Sequence, residues 1–142
     1  LEPSEGMRDK AQSNISKAPF NVELLDLPGE EIPLDDNSVD TVLLTFTLCT
    51  IPDWGKALEQ MRRVLKPDGE LVFCEHGKAP DKNIQLWQDR INPYWNKFAG
   101  GCNLNRPIPD LIEKSGFKIQ RVDSQYKPGP KPLNFFYHGV AK

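Results

Sequence analysis

Leu65-Lys66-Pro67-Asp68-Gly69-Glu70-Leu71-Val72 decides the fold of this chain. Pro67 cannot continue a helix, because it lacks a backbone N–H and its ring clashes with the preceding turn. The segment before it is helical: Asp53 suits an N-cap, and Ala57, Leu58, Met61, Val64 and Leu65 recur on one face up to residue 65. Residues 70–74, just after the turn, are a short apolar run of strand length. Upstream, residues 39–46 are almost continuously apolar and β-branched. That pattern predicts a strand buried on both faces, as in a parallel sheet. The unit is therefore strand, helix, Pro/Gly turn, strand.

Working outward, residues 5–15 read as a short polar helix and residues 20–25 alternate like a strand. Residues 26–38 form a loop rich in acid, Pro and Gly. Beyond the second strand, residues 84–97 are predicted helical but interrupted at Pro93. Gly100-Gly101 breaks that helix. Residues 107–115 suit a short helix with Gly116 as its stop. Residues 117–126 and 133–141 read as strands. They are joined by Lys127-Pro128-Gly129-Pro130-Lys131-Pro132, a stiff connection, and they form an antiparallel terminal pair. Alternating strands and helices with such an ending predict one α/β layered domain over residues 1–142.

Composition narrows the function. A net charge of -2 with no basic stripe argues against nucleic acid as a partner. No apolar run reaches the length of a membrane span. The three cysteines are odd in number, and none sits in a Cys-x-x-Cys pair. This argues against a disulfide framework and a structural zinc site, and for a reducing cytoplasm. No His/Cys/carboxylate set has metal-ligand spacing, so no metal is expected. Cys49 and Cys74 lie in apolar contexts that suit buried, inert thiols.

The strand–helix–Lys-Pro-Asp-Gly–strand unit resembles the second half of a class I S-adenosylmethionine (SAM) methyltransferase. Thr45-Phe46-Thr47-Leu48-Cys49-Thr50, Glu75-His76, Trp87-Gln88 and Gly101-Cys102-Asn103-Leu104 resemble the methyltransferase type 11 group. Within it they are similar to the branch related to microsomal alkyl-thiol methyltransferases. The resemblance spans nearly the whole chain. It implies a three-layer Rossmann-like methyltransferase fold, incomplete at the N-terminus, with an antiparallel C-terminal strand pair. The family's first strand ends in a Gly-x-Gly turn that meets the cofactor, and no such turn occurs here. The chain opens about two strands into that fold. Residues 20–25 should then either shift to pair with the 39–46 strand or be detached and poorly ordered.

The resemblance also implies site residues, with SAM as cofactor. Glu2 would accept the ribose hydroxyls, though a solvated surface carboxylate is equally open. Met7 would pack on the adenine or belong to the core. In the loop 26–33, alignment from one side places the adenine contacts at Asp26 and Leu27. Alignment from the other side places them at Gly29 and Glu30. Thr45 and Phe46, at the carboxyl end of a strand, would face the methionine part. His76 is the catalytic candidate, able to take a proton near neutral pH, with a capped loop histidine as the alternative. His138 should be structural. Trp87, Trp95 and Phe98 would form a substrate wall or a plain apolar helix face. The expected activity is methyl transfer to a small-molecule thiol or hydroxyl. A non-catalytic methyltransferase-like interaction module is the alternative. A nicotinamide oxidoreductase lacks any visible hydride-transfer set.

Overall fold

The computed structural model of the chain describes residues 1–142. Helix α1 spans Glu5–Ile15 and strand β1 Val39–Thr45. Helix α2 comes next at Trp54–Val64, then β2 at Leu65–His76. Helices α3, Lys82–Phe98, and α4, Ile108–Lys114, precede the terminal strands β3, Ile119–Tyr126, and β4, Phe135–Ala141. The strand order is β1-β2-β4-β3. β1 and β2 run parallel, and β4 lies antiparallel between β2 and β3. The α/β layout and the antiparallel ending are as the sequence predicts.

The deciding stretch works through its glycine. Val39 pairs with Leu65, but Thr41 already pairs with Glu70, so β2 carries extra residues in a bulge there. A Cβ on Gly69 would lie 3.0 Å from the Asp40 and Lys66 carbonyl oxygens and 2.9 Å from Leu65 Cδ2. Only glycine lets the three segments approach that closely. Before the bulge, α2 starts where expected: the Asp53 side chain accepts from Lys56 N–H at 3.0 Å. Its Ala57, Leu58, Met61 and Val64 are all buried.

The core sits on one face of the sheet. Leu44, Leu71, Phe73 and Ala141 meet α2 and the buried Ile108, Leu111 and Ile112 of α4. Successive strand residues point to opposite faces, so Leu43 and Cys74 face the other way. Leu43 is 68% exposed and Cys74 half-buried. This corrects one expectation. β1 is an edge strand covered on one face, not a strand buried on both.

Two further expectations are corrected. Residues 20–25 form no strand and pair with no other strand; Phe20 is 70% exposed. Apolar alternation alone does not make a strand: the backbone groups must be paired, and residues 20–25 do not dock on the open edge of β1. The segment's ordered link is instead Glu2 N–H donating to the Leu25 carbonyl at 3.1 Å. Nor does Pro93 interrupt α3, which runs unbroken from Lys82 to Phe98. Tertiary anchors outweigh the proline. The buried Gln88 side chain donates to the Gly77 and Pro132 carbonyls and accepts from Ala79 N–H. Asn92 Oδ1 takes the Leu104 N–H at 2.7 Å. No helix is long and apolar enough to cross a membrane.

Candidate active site

The site forms where β1 and β2 end. β1 stops at Thr45, and the next residue, Phe46, turns the chain sharply with a φ of 50°. The next turn is held from two sides. Glu75, fully buried at the end of β2, accepts from the N–H groups of Thr47 at 2.7 Å, Leu48 at 3.0 Å and Cys49 at 3.3 Å. Arg106 donates to the Leu48 carbonyl at 2.5 Å and the Ile51 carbonyl at 2.7 Å. Burial pushes the Glu75 carboxyl up from its ordinary value, and the three N–H donors oppose that shift. Burial likewise lowers Arg106. The pair thus grips five backbone groups that would otherwise be orphaned.

The second wall comes from the turn after α3. Gly100 and Gly101 take φ values of 60° and 90°, a region open to glycine, and reverse the chain. Asn103 then locks onto the first wall. Its N–H and side-chain amide both donate to the Cys49 carbonyl, at 2.8 and 3.0 Å. Asn96 holds the Gly101 carbonyl at 2.6 Å. The result brings Cys102 against Cys49, with their sulfurs 3.4 Å apart. His76 lies beside them, its Nδ1 3.7 Å and its Nε2 3.9 Å from Cys102 Sγ. The ligating atoms of Cys49, His76 and Cys102 all lie within 4.8 Å of one another.

All three line a cleft of about 410 Å³, together with Phe46, Thr50, Trp95, Ala99, Leu133 and Phe136. Phe136 meets Phe46 edge to face at 5.8 Å. The Trp95 indole N–H is buried there beside the Cys102 sulfur, with no nitrogen or oxygen acceptor. The two thiols are inequivalent. The hydrogen bond between them, then burial, raises Cys49, while the same bond lowers Cys102 to about 7.

The structure separates the sequence-predicted residues into groups. His76, Phe46 and Trp95 come together in the cleft. Thr45 ends β1 beside them, exposed, its carbonyl taking the Thr47 hydroxyl at 2.7 Å. Glu2 and Asp26 are joined elsewhere by Arg8, which donates to the Glu2 carbonyl at 2.9 Å and pairs with the Asp26 carboxylate. Met7, on the neighbouring α1, is 53% exposed. Leu27 and Glu30 line a different, shallow groove with Lys56 and Gln60. Gly29 lies against Ile51, with no room for a Cβ (2.9 Å to its Cδ1). Trp87 and Phe98 are exposed. His138 stands in β4, 3.7 Å from the Asp123 carboxylate. Sequence reasoning missed the pairing of Cys49 with Cys102, since residues 53 apart carry no spacing signal. It also left Glu75 and Asn103 without a role.

The fold and this site define a class. The type 11 methyltransferase-domain family matches residues 1–73, and the chain belongs to that family. It is similar to rat thiol S-methyltransferase TMT1B, 38% identical over 98 residues, covering 68% of this chain and 39% of that protein. It is also similar to a demethylmenaquinone methyltransferase of Listeria monocytogenes, 38% identical over 96 residues, covering 67% of this chain and 39% of that one. The chain thus spans about two fifths of the length of these relatives. Among solved structures, a SAM-dependent methyltransferase from Methanosarcina mazei shares the fold: TM-score 0.71, 14% identity, covering 99% of this chain and 78% of that one.

Proposed function

We propose that this chain forms the acceptor side of a SAM-dependent methyltransferase that acts on a small molecule carrying a thiol or hydroxyl. The observation that carries the reading is the cleft at the carboxyl ends of β1 and β2, where Phe46, His76 and Trp95 converge. The similarity to a thiol S-methyltransferase supports a thiol in particular. Small size of the acceptor is argued from the cleft volume, about 410 Å³.

The residues present fit the cofactor at two ends. Only Oε1 of Glu2 is engaged, by Ser4 N–H at 2.9 Å, which leaves Oε2 able to accept a ribose hydroxyl. Thr45 and Phe46 would flank the methionine end, with the exposed Met7 and the 26–30 loop toward the adenine. SAM supplies an activated methyl group. The chain's own part is to hold the nucleophile in line and strip its proton. His76 is placed to take that proton or orient the acceptor. The three free thiols suit a reducing compartment such as the cytoplasm.

The test uses a chimera in which the preceding strands of a thiol methyltransferase relative are fused ahead of Leu1. His76→Ala should lower turnover of a hydroxyl acceptor at least tenfold more than turnover of a low-pKa thiol, which is already partly ionised. SAM affinity should hold. Equal rates for both proteins on every acceptor would remove His76 from the chemistry.

A further inference from the structure

We propose that Cys49, His76 and Cys102 form a binding site for a soft divalent cation of the zinc type, with its fourth position open to the cleft. In the methyltransferase reading, on which this role rests, the open position takes the sulfur of a thiol acceptor; His76 then serves as a ligand instead of a base, so with the ion bound His76→Ala slows the thiol as well, and the tenfold difference above is the outcome for the metal-free protein.

The donor set comes first. Two thiolates and one imidazole form a known zinc ligand set, and three protein ligands with one open position mark catalytic rather than structural zinc. Two of the three separations fit directly. Cys49 and Cys102 sulfurs lie 3.4 Å apart, and Cys102 Sγ lies 3.7 Å from His76 Nδ1. With metal–sulfur bonds of about 2.3 Å and a metal–nitrogen bond of about 2.05 Å, these correspond to angles of about 95° and about 115° at the ion. Both lie within about 15° of tetrahedral; the third pair, Cys49 Sγ and the His76 nitrogen, lies within 4.8 Å and must stand closer than about 4.35 Å, the sum of the two bonds, once an ion is bound.

The ligands are also held in advance. Cys49 is fixed by Glu75 on its N–H and by Asn103 on its carbonyl. Asn103 is the neighbour of Cys102, so one residue locks both ligand loops together. Such support of the ligand backbone is what a bound ion needs to find its donors in place. His76 adds the discriminating observation. Its ring nitrogens meet sulfur and no oxygen acceptor. A plain dithiol pair would not require it, whereas a three-ligand site does. Two thiolates would balance the dication and leave the half-buried cleft without net charge from the ion. Glu75 and Arg106, the nearest other charges, oppose one another.

The cleft side carries what the fourth ligand would need. The Trp95 indole N–H is buried beside Cys102, whose thiolate it favours, with no nitrogen or oxygen acceptor. It can donate to a sulfur bound there, that of Cys102 or that of the acceptor. Phe46, Phe136 and Leu133 offer apolar contact to an alkyl chain. A thiol that coordinates loses its proton to solvent. The thiolate then attacks the methyl carbon of SAM. The new S–CH₃ bond forms as the methyl–sulfonium bond breaks, and that bond's electron pair stays on the departing sulfur. The thioether product carries no charge, binds the ion weakly and leaves.

The experiment uses this 142-residue chain, reduced and freed of metal by a chelator. Zinc is titrated against a chromophoric chelator, and Co²⁺ serves as the optical probe. One equivalent should bind, with the intense visible absorption of tetrahedral cobalt and thiolate-to-cobalt charge transfer. Cys49→Ser and Cys102→Ser should each abolish the charge-transfer pattern of a two-thiolate site. His76→Ala should weaken binding at least tenfold, and Cys74→Ser should change nothing. Circular dichroism of each variant shows that it is folded. A small alkyl thiol should shift the cobalt spectrum, reading the open position directly. No stoichiometric binding by the folded, reduced chain would overturn the proposal. So would a cobalt spectrum indifferent to Cys49→Ser, or peroxide-driven formation of a Cys49–Cys102 disulfide in a chain that takes up no metal. None of these readouts involves SAM, so their failure leaves the methyltransferase reading standing. Metal uptake with no methyl transfer in the chimera would overturn that reading alone.

Discussion

At the scale of the residue, Glu75 is the side chain on which the site's shape depends. It is fully buried, and its carboxylate takes three backbone N–H groups from the turn that carries Cys49. Removing an acceptor there strands buried donors as well as losing the bonds. Glu75→Ala should therefore destabilise the chain by about 2–4 kcal/mol, read from urea unfolding. Glu75→Gln should recover part of that loss, because its amide oxygen can still accept while its NH₂ group faces a donor. An alanine variant as stable as the parent would show that Arg106 and Asn103 hold the turn alone. Glu75 and His76 are adjacent in sequence yet point to opposite faces of β2. One builds the wall and the other faces the cleft.

At the scale of the element, α3 is a helix kept against local propensity. A proline inside a helix forfeits one hydrogen bond and crowds the preceding turn, at a cost of about 3 kcal/mol. Gln88, Asn92 and Asn96 offset this by tying α3 to the loops around Gly77, Leu104 and Gly101. Pro93→Ala should thus raise stability by about 1–3 kcal/mol without moving those anchors. A shift of the urea midpoint to higher concentration, at unchanged m-value, would show it. A lower midpoint would mean that the proline sets the direction in which Trp95 enters the cleft.

At the scale of the whole molecule, β1 presents an open edge, and SAM affinity is the property that should depend on it. β1 pairs only with β2, and Leu43 stands 68% exposed on the face away from the core. The chain carries no Gly-x-Gly turn, the element that gives the closest backbone approach in this fold. These 142 residues should accordingly bind SAM with a Kd no tighter than about 1 mM, and the chimera carrying a relative's preceding strands should bind it at least a hundredfold more tightly. Within that chimera, Glu2→Ala should cost about 1–3 kcal/mol of SAM affinity by calorimetry. Micromolar binding by the unfused chain would show that Glu2, the 26–30 loop and the β1 end suffice.

The Leu65–Val72 stretch, Asp53 and the Gly100-Gly101 break were legible in the sequence because each acts locally. Capping, proline geometry and glycine's freedom are properties of a few adjacent residues, and they set α2, β2 and the turn after α3. The family was legible for the same reason, in short runs such as Glu75-His76 and Gly101-Cys102-Asn103-Leu104. Hidden from the sequence was anything that depends on a neighbour distant along the chain. Residues 20–25 alternate like a strand but pair with none, although β1 keeps an open edge. β1 reads as buried on both faces but is covered on one. Cys49 and Cys102 lie 3.4 Å apart only because Glu75, Arg106 and Asn103 fold two remote turns together. Local chemistry chose the elements; long-range backbone hydrogen bonding and packing decided which of them met, and so where the cleft and its three ligating side chains lie.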